Sequence, residues 1–218
     1  TFFNGKRVLL NHLTKFNLNT FYESLKLINS DINKKFENIA KEILEKSYLR
    51  RIDSYISPID NRPVIDWHND TSYSGAASPK KKLHHPNFFK LRFFLYLTDV
   101  EHNNGSLACI KGSHKLVSAV TKIFYEKIFD YEPYWDLKSF IKLIQKENFK
   151  SEIINIVGNE AYNNFLEYSK FNFLEKDTNL YDFESRAGGL VIFDDRVFNR
   201  GSSCLKTDRT VMRFIYAS

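Results

Sequence analysis

FFKLRFFLYLTDVEHNNGSLACI, residues 88–110, is the stretch on which the fold turns. Residues 88–100 are almost continuously apolar and aromatic, which suits a strand buried on both faces. Asn103-Asn104-Gly105 then predicts a hairpin turn, with Ser106 to Ile110 returning as the next strand. Working outward, residues 48–59 read as a strand ended by Pro58, and Val64 to Trp67 starts another. Residues 71–87, with Gly75, Pro79 and Pro86, form a loop long enough to serve as a lid. Residues 17–47 carry apolar side chains every three to four positions, from Phe21 through Ile28, Phe36 and Ile43, and predict a helix laid over a sheet. Helical periodicity returns over 116–183 with few strand signals. Gly188-Gly189 opens a strand at Leu190 to Phe193, and Arg209 to Tyr216 gives the last. Strands at both ends of a helical insertion predict one α+β domain over 1–218, with the insertion at about 116–183.

Composition narrows the function. The chain has 218 residues, 43% hydrophobic and 27% charged, so it has material for a core. No apolar run approaches the ~20 residues that span a bilayer, which predicts no membrane partner. The net charge of +6 comes from lysines spread along helices, dense only at Lys80-Lys81-Lys82. Without zinc-finger spacing or RNP-like aromatics, this predicts no nucleic-acid partner but a basic face suited to a small anion. Cys109 and Cys204 have no CxxC spacing, and a reduced, cytoplasmic setting is expected. Oligomeric state is not readable.

His68-Asn69-Asp70 is the first chemical constellation. An HxD at a strand end puts imidazole and carboxylate on one side of the sheet, two of the three ligands of a 2-His-1-carboxylate triad. Alone it is equally a surface turn. It is followed in order by Asn103-Asn104-Gly105-Ser106-Leu107, Lys111-Gly112-Ser113-His114, Gly188-Gly189-Leu190-Val191-Ile192-Phe193, Asn199-Arg200-Gly201-Ser202 and Asp208-Arg209. In this order and spacing the segments, over roughly 48–115 and 186–218, resemble the phytanoyl-CoA dioxygenase family of Fe(II)/2-oxoglutarate oxygenases.

The resemblance implies a double-stranded β-helix (jelly-roll) core with N-terminal helices, the cofactors Fe(II) and 2-oxoglutarate, and oxidation of a small organic substrate, anionic or amphipathic. It makes His68 and Asp70 metal ligands and Arg209 the partner of the far carboxylate of 2-oxoglutarate, a role suited to a planar guanidinium. The alternative for Arg209 is a surface ion pair with Asp208, with Arg213 as fallback. Arg92, Phe94 and Tyr96 share a strand face that can line the cavity, with core packing the equal alternative for Phe94, and Arg92 and Ser202 are further cofactor-binding candidates. His114 is expected in a structural turn, and His84 and His85 in the lid loop.

The pattern breaks at the third ligand. The family's histidine falls at Asn199, and no histidine follows His114. A neutral amide oxygen is a weaker ligand for Fe(II) than imidazole. Three accounts stay open here: a replacement introduced to trap a complex, a working enzyme whose site is completed by His84, His85 or water, and an inactive jelly-roll binding module or pseudo-oxygenase subunit.

Overall fold

In the computed structural model, which describes residues 8–10, 26–71, 85–170 and 180–218, the strands divide between two antiparallel sheets. The first has the order β1 (Val8–Leu10), β2 (Tyr48–Ser57), β9 (Arg209–Ala217), β4 (Lys90–Tyr96) and β7 (Leu190–Asp194). The second runs β3 (Ile65–His68), β8 (Asn199–Gly201), β5 (Leu107–Ile110) and β6 (Leu180–Phe183). From β2 onward the chain passes back and forth between the sheets. Tyr55, Phe94, Tyr96, Val191, Phe193 and Val211 of the first sheet bury against Leu107 and Cys109 of the second.

The β4 stretch is buried nearly throughout, as its composition predicts, and its alternation explains how. Leu91 and Phe93 face outward with Phe214 and Tyr216, under α1 (Asp31–Leu44), whose Phe36, Ala40 and Leu44 cover them. The Phe36 ring lies 5.1 Å from Phe93 and 5.0 Å from Phe214. Lys90, Arg92, Phe94 and Tyr96 face inward, between the sheets.

Three expectations need correction. The Asn103-Asn104-Gly105 turn forms, with Glu101 and Asn104 exchanging main-chain hydrogen bonds of 2.9 and 3.2 Å, but it is not a hairpin. Both edges of β4 are taken by β9 and β7, so β5 crosses to the other sheet and pairs with β6 and β8. The helix expected over 17–47 is interrupted at Asn29 and Ser30, where the Ser30 hydroxyl donates to the Leu27 carbonyl and accepts from the Asn33 amide, capping α1; residues 17–25 lie outside the described residues. The insertion begins earlier and ends earlier than expected. It comprises α2 (Ser113–Tyr125), α3 (Leu137–Ile144), α4 (Glu147–Val157) and α5 (Asn159–Tyr168), and residues 180–183 are strand β6. Its aromatic core, with Phe124, Tyr134, Phe140, Phe149 and Phe165, packs on Trp67, Ala108 and Ile110 from the outward face of the second sheet. Among the described residues no helix is long and apolar enough to cross a membrane. Both cysteines are free and buried.

Candidate functional site

His68 closes β3 and is paired in register with Asn199 of β8, which in turn pairs with Cys109 of β5. The His68 Nδ1–H donates to the Asp66 carbonyl at 2.7 Å, which fixes the ring with Nε2 turned toward Asp70. His68 Nε2 lies 3.7 Å from Asp70 Oδ1, a separation that a shared divalent metal can bridge. The intervening Asn69 points away: its amide group donates to the Tyr134 carbonyl at 2.7 Å and its backbone N–H to the Trp135 carbonyl at 2.9 Å. The HxD turn is thus sewn to the segment leading into α3. Asn199 is buried, and its Nδ2 donates to the main-chain carbonyls of His68 (3.3 Å) and Val197 (3.1 Å). With both amide hydrogens committed to carbonyls, the carbonyl Oδ1 is the atom Asn199 has for a metal. Among the described residues no three His, Cys, Asp or Glu side chains gather into a metal site. The donor set is therefore two ligands and an amide, which fits a divalent metal, though weakly.

Burial raises the Asp70 carboxyl, but Arg92, His68 and Arg213 outweigh it and hold the group well below the ordinary carboxylate range. Arg92 Nη2 is 3.1 Å from Asp70 Oδ1, the same oxygen that faces His68. The Arg92 side chain is almost fully buried, and its Nε has no hydrogen-bond partner among the described residues.

Arg209 is buried and makes no surface pair with Asp208, whose carboxylate instead accepts from the Ile59 amide at 2.9 Å. Its Nη1 donates to the Gly105 carbonyl at 2.9 Å and its Nη2 to the Tyr55 hydroxyl at 3.2 Å, while Nε has no partner among the described residues. Two glycines make its slot. A Cβ on Gly201 would lie 3.3 Å from Nη1, and one on Gly105 would lie 3.0 Å from Cδ. Gly105 also has φ +83°, so Gly105→Ala is expected to cost about 1–2 kcal/mol in backbone strain alone and to push Arg209 aside. A denaturant midpoint and a 2-oxoglutarate titration on the same protein check both halves. Because Gly201 and Asn199 share one face of β8 two residues apart, the Arg209 guanidinium lies within reach of a group about 7 Å along the strand from Asn199.

Arg213, the fallback, is committed elsewhere: Nε and Nη2 grip the two Asp53 oxygens at 2.8 and 2.6 Å. Ser202 is buried, with its hydroxyl 3.1 Å from that of Ser106. His114 lies in the first turn of α2, where burial lowers its pKa. His85 stacks edge-on against Tyr125 with centroids 5.3 Å apart. His84 and Lys80 to Lys82 lie outside the described residues. Sequence reasoning missed Asp53, Lys90 and Asp195. Lys90 Nζ lies 3.2 Å from Asp195 Oδ2, both buried, and burial pushes the Asp195 carboxyl up despite Lys90. The available signal was the placement of charges inside apolar strands.

The sequence profile of phytanoyl-CoA dioxygenase (PhyH) matches residues 11–203. The chain belongs to the phytanoyl-CoA dioxygenase family. As a member of that family it is similar in fold to EvdO2 from Micromonospora carbonacea var. aurantiaca, at 14% identity and a TM-score of 0.53, over 98% of this chain and 67% of that one. The structure of EvdO2 complexed with 2-oxoglutarate aligns over the same shares, with 13% identity and a TM-score of 0.55. AviO1 from Streptomyces viridochromogenes Tue57 aligns at 13% identity and a TM-score of 0.50, over 97% of this chain and 66% of that one. This family member thus spans about two thirds of the length of EvdO2 and AviO1. No curated protein matches its sequence at a significant level.

Proposed function

We propose that the chain is an Fe(II)/2-oxoglutarate-dependent dioxygenase on a double-stranded β-helix core, oxidising a small anionic or amphipathic substrate. The jelly-roll assignment rests on the strand orders β2-β9-β4-β7 and β3-β8-β5-β6, with the chain changing sheet at each step from β2 to β9 except between β5 and β6. The observation that carries the function is the spacing of donors on the inner faces. His68, Asp70 and Asn199 stand together, and a buried arginine with a spare donor lies about 7 Å along β8, the reach of a five-carbon dicarboxylate.

In this reading His68 Nε2, Asp70 and the Asn199 carbonyl hold the metal. Asp66 fixes the imidazole ring, and the tied Nδ2 of Asn199 keeps its oxygen forward. Arg209 donates to the far carboxylate of 2-oxoglutarate, steadied by Gly105 and Tyr55, while Tyr96, Phe94 and Val211 keep water from the cavity. Bound there, the metal and 2-oxoglutarate supply oxygen-dependent oxidation of a C–H bond, with release of succinate and CO₂.

An anaerobic titration of Fe(II) and 2-oxoglutarate tests this through the charge-transfer band of the chelate. The band is expected in this chain, and Arg209→Gln is expected to weaken 2-oxoglutarate binding about 30-fold or more. No band in this chain or in Asn199→His sinks the assignment. A second reading, a binding module without turnover, is favoured by Asn199 and by Arg92 on the Asp70 oxygen. Tight 2-oxoglutarate binding with no metal present would decide for it.

A further inference from the structure

Arg92 stands apart from the Arg209 pocket. In the β4–β9 register Arg92 is opposite Ile215, six positions along β9 from Arg209, so their backbones are about 20 Å apart. The two guanidiniums therefore approach the His68–Asp70 pair from opposite ends of the inner face. Arg92 has Phe193 beside it in register on β7, and Phe94 follows it on the same face of β4. An apolar corner lies next to the charge, made by the Phe94 and Phe193 rings, which meet edge-to-face at 74°.

At the Arg92 end of this face three carboxylates, Asp70, Asp53 and Asp195, serve Arg92, Arg213 and Lys90, while Arg209 at the other end has none among the described residues. Asp53 is held by both nitrogens of Arg213 and by Arg51 Nε at 2.5 Å. Asp195 is held by Lys90 Nζ, by the Lys90 amide at 3.1 Å and by the Thr71 hydroxyl at 3.3 Å. Among the described residues the only ion pair of Arg92 is with Asp70. A metal on Asp70 Oδ1 meets a guanidinium already on that oxygen, and the two cations repel. Once the metal takes Asp70, Arg92 is a buried cation whose neighbouring carboxylates among the described residues, Asp53 and Asp195, are in use. Such a charge needs a new anion.

We propose that Arg92 is the substrate-reading residue of this site: it holds Asp70 in the metal-free protein and, once metal is bound, takes a carboxylate on an apolar substrate in its place. The inference rests on the oxygenase reading and names its substrate class. A carboxylate suits because it supplies the charge that Asp70 gives up, and its planar pair of acceptors can meet a guanidinium fork that Asp70 touches through one oxygen, with Nε unpartnered among the described residues.

The test is calorimetric titration of Ni(II) into the whole chain and into Arg92→Gln, alone and with 2-oxoglutarate, with phenylacetate or phenylacetamide added as matched probes. Arg92→Gln is expected to bind Ni(II) about tenfold more tightly with no anion present. On the Ni(II)·2-oxoglutarate form, phenylacetate and not the amide is expected to bind the parent chain, and Arg92→Gln is expected to lose that preference. Unchanged or weaker Ni(II) binding by Arg92→Gln overturns the proposal, and so does equal behaviour of acid and amide, while the oxygenase reading stands. If Ni(II) binds neither of these proteins nor Asn199→His, the oxygenase reading itself fails and the proposal with it.

Discussion

Asn199→His is expected to raise divalent-metal affinity by at least the ~10–100-fold that loss of a mere outer partner of a metal ligand costs. The backbone is already arranged for it. Asn199 sits in register with His68 on one face of β3 and β8, so an imidazole at 199 enters the same space as the His68 ring. The substitution trades a weak neutral oxygen for a nitrogen that first-row metals prefer. It also removes the two amide donations to the His68 and Val197 carbonyls, so part of the gain is offset by the loss of those bonds. Equilibrium dialysis with Ni(II) or Mn(II) on both proteins gives the ratio. A ratio near one would mean that position 199 does not reach the metal.

Asp53→Asn is expected to be the most damaging single change to stability, at about 3–5 kcal/mol. Asp53 is 4% exposed and receives a two-pronged grip from Arg213, itself largely buried. The amide leaves that guanidinium buried without its hydrogen-bonded counter-charge, with only the more distant Asp70 to offset it. Burial raises the Asp53 pKa, but Arg213, Arg51 and Arg92 outweigh it, so the folded value is lowered. The stability this contributes is present above the unfolded carboxylate value of about 4 and is lost as pH falls below it. Urea denaturation across pH 3 to 7 should therefore show a steep acid limb in the parent chain and a flatter one in Asp53→Asn. Parallel curves would place the acid sensitivity in other groups.

Much of this architecture can be read from local pattern. The β4 stretch announces its burial and HxD its turn, whereas Arg209 is singled out by the family resemblance and not by local pattern. What is not legible comes from pairing over long range. Asp53 and Arg213 are 160 residues apart, and nothing in the residues around either says that β2 and β9 are neighbours. The Asn-Gly turn was misread because turn chemistry fixes the reversal of the chain but not which strand edges remain open. β8 has only three residues, too few for any period to show. The break before α1 hangs on one serine hydroxyl, which a stripe of apolar residues running through it conceals.

The place of β9 sets the timetable of the molecule. It follows every other described strand in sequence, yet lies between β2 and β4 in the middle of the first sheet. During synthesis those two strands wait with bare edges until β9 has left the ribosome, and Arg209 and Arg213 arrive with the strand that joins them. Such a chain has no partly built pocket with which to capture a ligand early. It should depend on chaperones that shield open strand edges, and fold slowly once β9 is available.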